Sequence, residues 1–296
     1  MRVLILFLVL LNCGSPRAQA QVTSDDSSLR VTLHAASSIV EFGPPDLRVA
    51  INRFSPQFRS LNAVGALWRE RDAYAGTGFL VSPCLVLTNY HVVFAKTAVA
   101  GTGVPLYFSV GQSIDSGRPF ALRGVPGRVV AFGNYHFGAA TYKSDWALIK
   151  LSRSIGHGVG YLPLSQLEAS DLQGQSVATA GFPLSKTRGG REMSALWGDV
   201  KCQLIGFSEL GFMYHNCQSE RGQSGSPIVA RNPVSGQIEA VAMVRGSQRH
   251  GMEKSTNLAI ANTAVAFVPS KGDVLNDGDL IRQAIEINQC NEPFQK

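Results

Sequence analysis

From about residue 39 onward, the sequence consists of short apolar runs that glycine or proline interrupts roughly every ten residues. This pattern is typical of an all-β barrel domain. The runs of the first half lie at 63–68, 78–81, 85–88, 128–132 and 147–151. Those of the second half lie at 176–181, 198–205, 212–216, 227–230, 239–245 and 255–261. The stretch 152–174 is broken by glycine and proline, and we interpret it as the link between the halves.

The C-terminus carries the segment that reads most clearly as a helix. Asp279 can cap this segment, and the apolar side chains that follow fall on one helical face. They are Leu280, Ile281, Ala284, Ile285 and Ile287. We therefore predict a helix over about residues 279–289.

The stretch 221–227 reads Arg-Gly-Gln-Ser-Gly-Ser-Pro, which is typical of a serine nucleophile in a tight turn. Gly222 and Gly225, on either side of Ser224, let the backbone fold so that neighbouring N–H groups point at one spot. Such donors stabilise the oxyanion that forms when a serine attacks a carbonyl. We expect the N–H groups of Gly222 and Ser224 to form this oxyanion hole. Gly222 should tolerate no side chain, because its peptide needs unusual backbone angles.

Two upstream segments supply the partners that such a serine needs. His91 follows the apolar run 85–88, and the end of a buried strand is a rigid position for a general base. Asp145 precedes the run 147–151, where it can orient an imidazole and stabilise the imidazolium. Taken singly, His91 can also be a hydrogen-bonded core histidine, and Asp145 a turn residue. The order His91, Asp145, Ser224 favours a catalytic triad.

These three segments resemble those of the chymotrypsin-like (trypsin-fold) serine proteases. Ser-Gly-Ser-Pro at 224–227 and Thr-Asn-x-His-Val at 88–92 resemble the bacterial glutamyl-endopeptidase branch. The resemblance implies an all-β fold of two packed six-stranded antiparallel β-barrels with a C-terminal α-helix. It places the protease domain at about 39–290, the first barrel at 46–151 and the second at 175–278. His91 and Asp145 would lie on the first barrel and Ser224 on the second.

The resemblance also implies a function, that of a serine endopeptidase that hydrolyses polypeptides through an acyl-enzyme. Gln218 and Ser219 would lie along the primary substrate pocket, opposite a wall formed by Val244, Arg245, Gly246 and Ser247. The neutral Gln218 removes the counter-charge that cleavage after Lys or Arg requires. Val244 stands where glutamate-specific relatives have a histidine, so the resemblance leaves the residue preference at the cleavage site open. Two alternatives stay open: a binding protein on the same fold, and an esterase that uses the same site.

The N-terminus has the features of a signal peptide over residues 1–20. Arg2 precedes a short apolar run at 3–11, and Ala18 and Ala20 fit a cleavage site after residue 20. The serine-rich stretch 21–38 indicates a pro-segment or flexible leader. We expect a secreted or periplasmic monomer without stable membrane insertion. Removal of a pro-segment ending between 37 and 43 would create a new N-terminus, which in this fold can help to build the active site.

Cleavage after residue 20 leaves four cysteines, and an even count in an exported protein favours two disulfides over a metal site. A hairpin centred on residues 209 and 210 places Cys202 opposite Cys217. Elimination then pairs Cys84 with Cys290, which requires the C-terminal helix to pack on the first barrel, as the resemblance implies. The net charge of +6 is scattered, so we expect no nucleic-acid partner, and we expect no cofactor.

Overall fold

The computed structural model describes residues 20–25, 28–33, 47–51, 56–69, 73–94, 106–110, 124–133, 144–188, 192–193, 196–207, 212–247, 262–267, 269 and 276–290. The chain divides into two units. In the first unit, Met1–Pro45 with Ser255–Leu258, strands β1 (Ala20–Asp25) and β2 (Ser28–Leu33) form an antiparallel hairpin. Nearly all of the predicted signal peptide lies outside the described residues, so it stays a prediction.

Both barrels belong to the second unit, which begins with a short strand, β3 (Val49–Ala50), ahead of the first barrel. A 3-10 helix (Pro56–Ala63) leads into the first barrel. Its six strands are β4 (Val64–Arg69), β5 (Ala73–Leu80), β6 (Leu85–Thr88), β7 (Leu106–Val110), β8 (Val125–Phe132) and β9 (Ala147–Leu151). They close in the order β4-β5-β6-β9-β8-β7. The predicted runs correspond to five of these strands, and β7 was missed.

The link between the barrels carries two single-turn helices, α2 (Gly156–Val159) and α3 (Ala169–Leu172), while α1 (Tyr90–Val93) follows β6. The second barrel is built from β10 (Ser176–Gly181), β13 (Trp197–Phe207), β14 (Phe212–His215), β15 (Pro227–Arg231), β16 (Ile238–Ser247) and β17 (Asn262–Ala266). Between β10 and β13 lies a small hairpin of β11 (Thr187–Arg188) and β12 (Glu192–Met193).

The second barrel closes through the pairing of β10 with β13, and β3 adds to the outer edge of β13. Counted along the chain, its strands pair in the same cyclic order as those of the first barrel. The predicted two-barrel all-β fold is therefore confirmed. The predicted last strand, 255–261, falls outside the described residues, and the strand that completes the barrel is β17.

The strands β6 and β9 are largely apolar because they are buried on both faces of the sheet. All four residues of β6 are buried, and four of the five residues of β9 are buried. A strand exposed on one face would alternate polar and apolar side chains instead. These two strands pair with each other, and their ends carry the turns that hold His91 and Asp145. Two buried strands that pair with each other therefore support these two residues.

The C-terminal helix α4 spans Asp277–Ile287, two residues earlier than predicted. Asn276 is the N-cap, because its side chain accepts from the Asp279 N–H at 3.1 Å. Asp279 is the third helical residue of a capping box rather than the cap itself. Ile281 and Ala284 are buried, whereas Leu280 and Ile287, which we also assigned to the apolar face, are 38% and 80% exposed. None of the helices in the described part of the chain is long and apolar enough to cross a membrane.

The structure contains both disulfides in the pairing expected. Cys202 bonds to Cys217, and Cys84 bonds to Cys290. The hairpin register is the predicted one near the first bridge, since Leu204 pairs with His215, two residues inward from each cysteine. The second bridge ties the end of α4 to the turn before β6. Lys150 on β9 adds a hydrogen bond from its Nζ to the carbonyl of Gln289 at 3.1 Å.

Candidate active site

His91 lies in α1, the single helical turn that follows β6. Its Nδ1 lies 2.8 Å from Oδ2 of Asp145. Its backbone N–H donates to the other carboxylate oxygen at 3.1 Å. The imidazole is 27% exposed, whereas the Asp145 carboxylate is fully buried. The aspartate therefore orients the ring through Nδ1 and leaves Nε2 as the nitrogen that can face a substrate.

The Asp145 carboxylate is charged despite its burial. Burial by itself raises the pKa of this carboxyl group, but His91 lowers it more through charge and hydrogen bonds. The guanidinium of Arg245 lowers the Asp145 pKa further, and the net shift is downward from its ordinary value. A charged aspartate in this position can stabilise a positive charge on His91.

The turn around Asp145 is held by the start of α4. The Asp277 carboxylate accepts hydrogen bonds from the Ser144 N–H and the Ser144 hydroxyl, both at 2.8 Å. It also accepts from the Trp146 indole N–H at 3.3 Å. Ser144 has a φ of 66°, which is rare for a residue other than glycine. Asp277 thus fixes the residues on both sides of Asp145 in a turn that would otherwise be unfavourable.

Ser224 lies in a turn that only glycine allows at its edges. Gly222 and Gly225 have φ values of 97° and 88°. A Cβ atom on Gly225 would stand 1.9 Å from the Thr77 carbonyl oxygen. The Ser224 hydroxyl donates to the carbonyl of Arg245 at 3.1 Å, and within the described residues no hydrogen bond joins it to His91.

Thr77 on β5 links this turn to the first barrel. Its N–H donates to the Ser224 carbonyl, and its hydroxyl donates to the Gly222 carbonyl, both at 2.9 Å. These bonds direct both carbonyls towards the first barrel. The Ser224 N–H has no hydrogen-bond partner in the part of the chain described here, so it can donate to an oxyanion.

Arg245, which we expected on a pocket wall, points towards Asp145. Its Nε lies 3.1 Å from Oδ2 of Asp145, and its side chain is only 9% exposed. Because its carbonyl also accepts from Ser224, this residue contacts two of the three predicted triad members. A continuous series of contacts therefore runs from His91 through Asp145 and Arg245 to Ser224.

The other predicted pocket residues lie on the second barrel near Ser224. The side-chain oxygen of Gln218 accepts a hydrogen bond from the Leu47 N–H at 2.6 Å. Val244 is buried and exchanges backbone hydrogen bonds with Gly225 and Ser226, directly after Ser224. Gly246 and Ser247 pair with β17, and Ser219 is half-buried. The assignment of these residues to a substrate pocket stays a prediction.

Sequence reasoning missed Thr77, Asp277 and Arg48 as residues that support the site. Arg48 contacts the loop before Ser224 through both terminal nitrogens of its guanidinium. Each of these residues lies more than 130 positions away from the residues it holds. No local pattern links such positions. Arg48 and Asp277 are single charged residues, indistinguishable by sequence from surface charge.

The family model of the trypsin-like peptidase domain matches residues 76–237, a segment that contains His91, Asp145 and Ser224. This segment is more than half of the 296-residue chain. The chain belongs to the trypsin-like peptidase family.

The chain is also similar to two known proteins. The chain is 26% identical over 195 residues to a Bacillus subtilis (strain 168) protein named "Extracellular metalloprotease", which covers 61% of this chain. The match spans only 54% of the length of that relative. A solved Glu endopeptidase in complex with MPD matches with a TM-score of 0.55 and 20% identity, over 81% of this chain and 95% of that one. The second match shows that the fold is shared.

Within the described residues, no three His, Cys, Asp or Glu side chains come together as a metal site would require.

Proposed function

We propose that this protein is a secreted serine endopeptidase that hydrolyses peptide bonds through Ser224, His91 and Asp145. The observation that carries the proposal is the pairing of His91 Nδ1 with the buried Asp145 at 2.8 Å, beside a serine in a glycine-flanked turn. Membership of the trypsin-like peptidase family supports the same reading.

The reaction begins when the Ser224 hydroxyl turns from the Arg245 carbonyl to Nε2 of His91. His91 takes the hydroxyl proton as Oγ bonds to the substrate carbonyl carbon, and the carbonyl oxygen becomes an oxyanion. The tetrahedral intermediate collapses, the C–N bond breaks, and His91 returns the proton to the leaving amine. A water molecule then attacks the acyl-enzyme by the same path, which releases the acid and restores Ser224.

Two features lower the barrier of these steps. The N–H groups of Gly222 and Ser224 donate to the oxyanion, and loss of one such donor costs about 3–4 kcal/mol of transition-state stabilisation. Asp145 keeps His91 in the tautomer whose Nε2 accepts the serine proton. Arg245 holds the Asp145 carboxylate charged and in line with the imidazole.

The proposal of a secreted protein rests on separate observations. The first 20 residues have the pattern of a signal peptide, and the structure contains two disulfides. Disulfides persist in oxidising compartments and are rare in the cytosol. The related Bacillus subtilis protein is named as extracellular. We propose polypeptides as substrates, bound next to Gln218 and the end of β16.

The alternative is a protein of this fold that binds without catalysis, and the hydrogen bond of Ser224 to Arg245 rather than to His91 favours it.

A peptide library incubated with the wild-type protein and with Ser224→Ala separates the two functions. We expect defined cleavage sites with the wild type and none with Ser224→Ala. The exposed Ser152 provides a control, Ser152→Ala, that should cleave as the wild type does. Equal peptide patterns with and without the wild-type protein would contradict the proposal. Hydrolysis of activated esters without peptide cleavage would identify an esterase.

A further inference from the structure

The segment 47–51, which precedes the first barrel along the chain, lies against the second barrel. Val49 and Ala50 pair with Gly198 and Trp197 at the start of β13. The Ile51 N–H continues this pairing with a bond to the Leu196 carbonyl at 2.7 Å. The segment therefore runs along the edge of the barrel that carries Ser224.

Arg48, at the start of this segment, reaches the loop that leads into Ser224. Its Nη1 donates to the Gln223 side-chain oxygen at 3.2 Å. Its Nη2 lies 3.0 Å from the Glu220 carboxylate. The Arg48 side chain is 9% exposed, so the ion pair with Glu220 is largely shielded from solvent. Gln223, the residue directly before the nucleophile, is completely buried.

Glu220 and Gln223 are the two ends of the turn that contains Gly222. The Gln223 N–H donates to the Glu220 carbonyl at 3.1 Å. The Glu220 N–H donates in return to the Gln223 side-chain oxygen, also at 3.1 Å. The Gln223 side-chain amide donates to the Trp197 carbonyl at 3.4 Å. The side-chain oxygen of Gln223 thus accepts from both the Glu220 N–H and Arg48, and its position depends on both contacts.

The charge on Glu220 completes the arrangement. Burial raises the pKa of this carboxyl group, but hydrogen bonds from Ser185 and the contact with Arg48 lower it more. The Ser185 N–H donates to Oε1 at 2.7 Å, and Arg48 holds Oε2. The buried Gln223 and the half-buried Glu220 therefore both contact the shielded guanidinium of Arg48.

From these contacts we propose that Arg48 is a positioning residue that holds the turn 220–223 in the geometry of an oxyanion hole. The inference rests on the proposed function, because it concerns the donors at Gly222 and Ser224. It has a consequence for maturation. The cation that holds the turn is a side chain within the polypeptide, so the turn needs no newly released N-terminal amine. Removal of a leader that ends between 37 and 43 leaves Arg48 in place.

The test compares Arg48→Gln with Arg59→Gln, an exposed arginine on the 3-10 helix that serves as the matched control. Oxyanion donors act in the transition state, so we expect kcat of Arg48→Gln to fall by about 100-fold with little change in KM. Arg59→Gln should keep the wild-type values. Guanidinium ion added to Arg48→Ala should restore part of kcat. Equal kcat in both glutamine variants, or a loss confined to KM, would overturn the inference.

A second measurement does not depend on catalysis. Hydrogen exchange is followed in the Ser224→Ala protein, with and without Arg48→Gln. We expect the amides of 218–225 to exchange faster when Arg48 is replaced, while those of the first barrel keep their rates. Unchanged exchange in 218–225 would overturn the role of Arg48, even if the wild-type protein proved inactive.

The maturation consequence has its own test. Carbamylation of the α-amino group of the secreted protein should leave its activity unchanged. Loss of activity in proportion to α-amino modification would contradict the consequence.

Discussion

The two barrels share one strand order, yet they position their functional residues by different kinds of contact. In the first barrel, His91 and Asp145 stand at the adjoining ends of the paired strands β6 and β9. In the second, the turn of Ser224 is held by side chains from elsewhere: Thr77 lies 145 positions from Gly222, and Arg48 lies 175 positions from Gln223. His91 and Asp145 therefore follow and precede paired strands, with Asp277 and Arg245 bracing the Asp145 turn, whereas the turn of Ser224 depends on Thr77 of the first barrel and on Arg48.

The interiors of the barrels differ in a related way. In the first barrel the buried Asp145 has His91 and Arg245 as partners. In the second, His215 on β14 is completely buried, and neither ring nitrogen has a hydrogen-bond partner in the described part of the chain. This burial lowers the pKa of His215 to about 3. The second barrel thus contains a polar group whose protonation opposes folding.

The largest difference that we expect between the barrels concerns their disulfides. The Cys84–Cys290 bridge closes a separation of 206 residues, and the Cys202–Cys217 bridge one of 15. In the chain-entropy description, loss of the longer loop costs roughly 5 kcal/mol of unfolding free energy, and loss of the shorter about 3 kcal/mol. Denaturant unfolding of the two double alanine variants measures both values.

Removal of the two disulfides should also loosen different parts of the protein. In the variant without the Cys202–Cys217 bridge, we expect hydrogen exchange to become faster first at the amides of 218–224 and only later at those of the first barrel. A larger free-energy loss for the short bridge, or exchange that rises first in the first barrel, would contradict the comparison.

The next effect tests the contact that joins the barrels at the site. Arg245→Met removes the guanidinium from Asp145 and leaves His91 as a partner. We expect kcat/KM to fall by about 10- to 100-fold, or roughly 1.5–3 kcal/mol, the usual range for a hydrogen bond to a charged group. Because Arg245 lowers the Asp145 pKa, its loss raises that pKa, and the acid limb of the pH–rate profile should move to higher pH.

A matched control for this variant is Arg153→Met, in which an exposed arginine is lost. It should keep the rate and the pH profile of the wild type. If Arg245→Met does the same, the ion pair with Asp145 has no part in catalysis.

The effect that is smallest near neutral pH, and grows as the pH falls, concerns His215. The folded-state pKa of His215 is about 3, below the ordinary value of 6.5. Below pH 6.5 the unfolded chain binds a proton that the folded protein does not, so stability falls as the pH drops towards 3. The expected slope is about 1.4 kcal/mol per pH unit. His215→Leu should flatten it, and His157→Leu, which replaces an exposed histidine, should not. An unchanged slope in His215→Leu would show that His215 takes up its proton without unfolding.

The parts of the molecule that sequence patterns predicted are those with local causes. Glycine and proline mark the strand ends, and the apolar runs of β6 and β9 are recognisable because both faces are buried. The strand β7 was missed because only five residues mark it between glycine-rich stretches. The bond from Ser144 to Asp277 and the turn of Arg245 towards Asp145 come from tertiary packing. No spacing in the sequence encodes either contact.

The central claim is that Ser224 is a nucleophile activated by His91 and Asp145, and covalent labelling tests it most directly. A fluorophosphonate is incubated with the full-length secreted protein, and the adduct is located by intact mass and peptide mapping. We expect one phosphonyl group on Ser224 Oγ, formed with release of fluoride, and none on Ser224→Ala. Asp145→Asn should label about 10⁴-fold more slowly, because His91 then adopts the wrong tautomer. An adduct on a different residue, or wild-type protein with intact disulfides that does not label, would contradict the account.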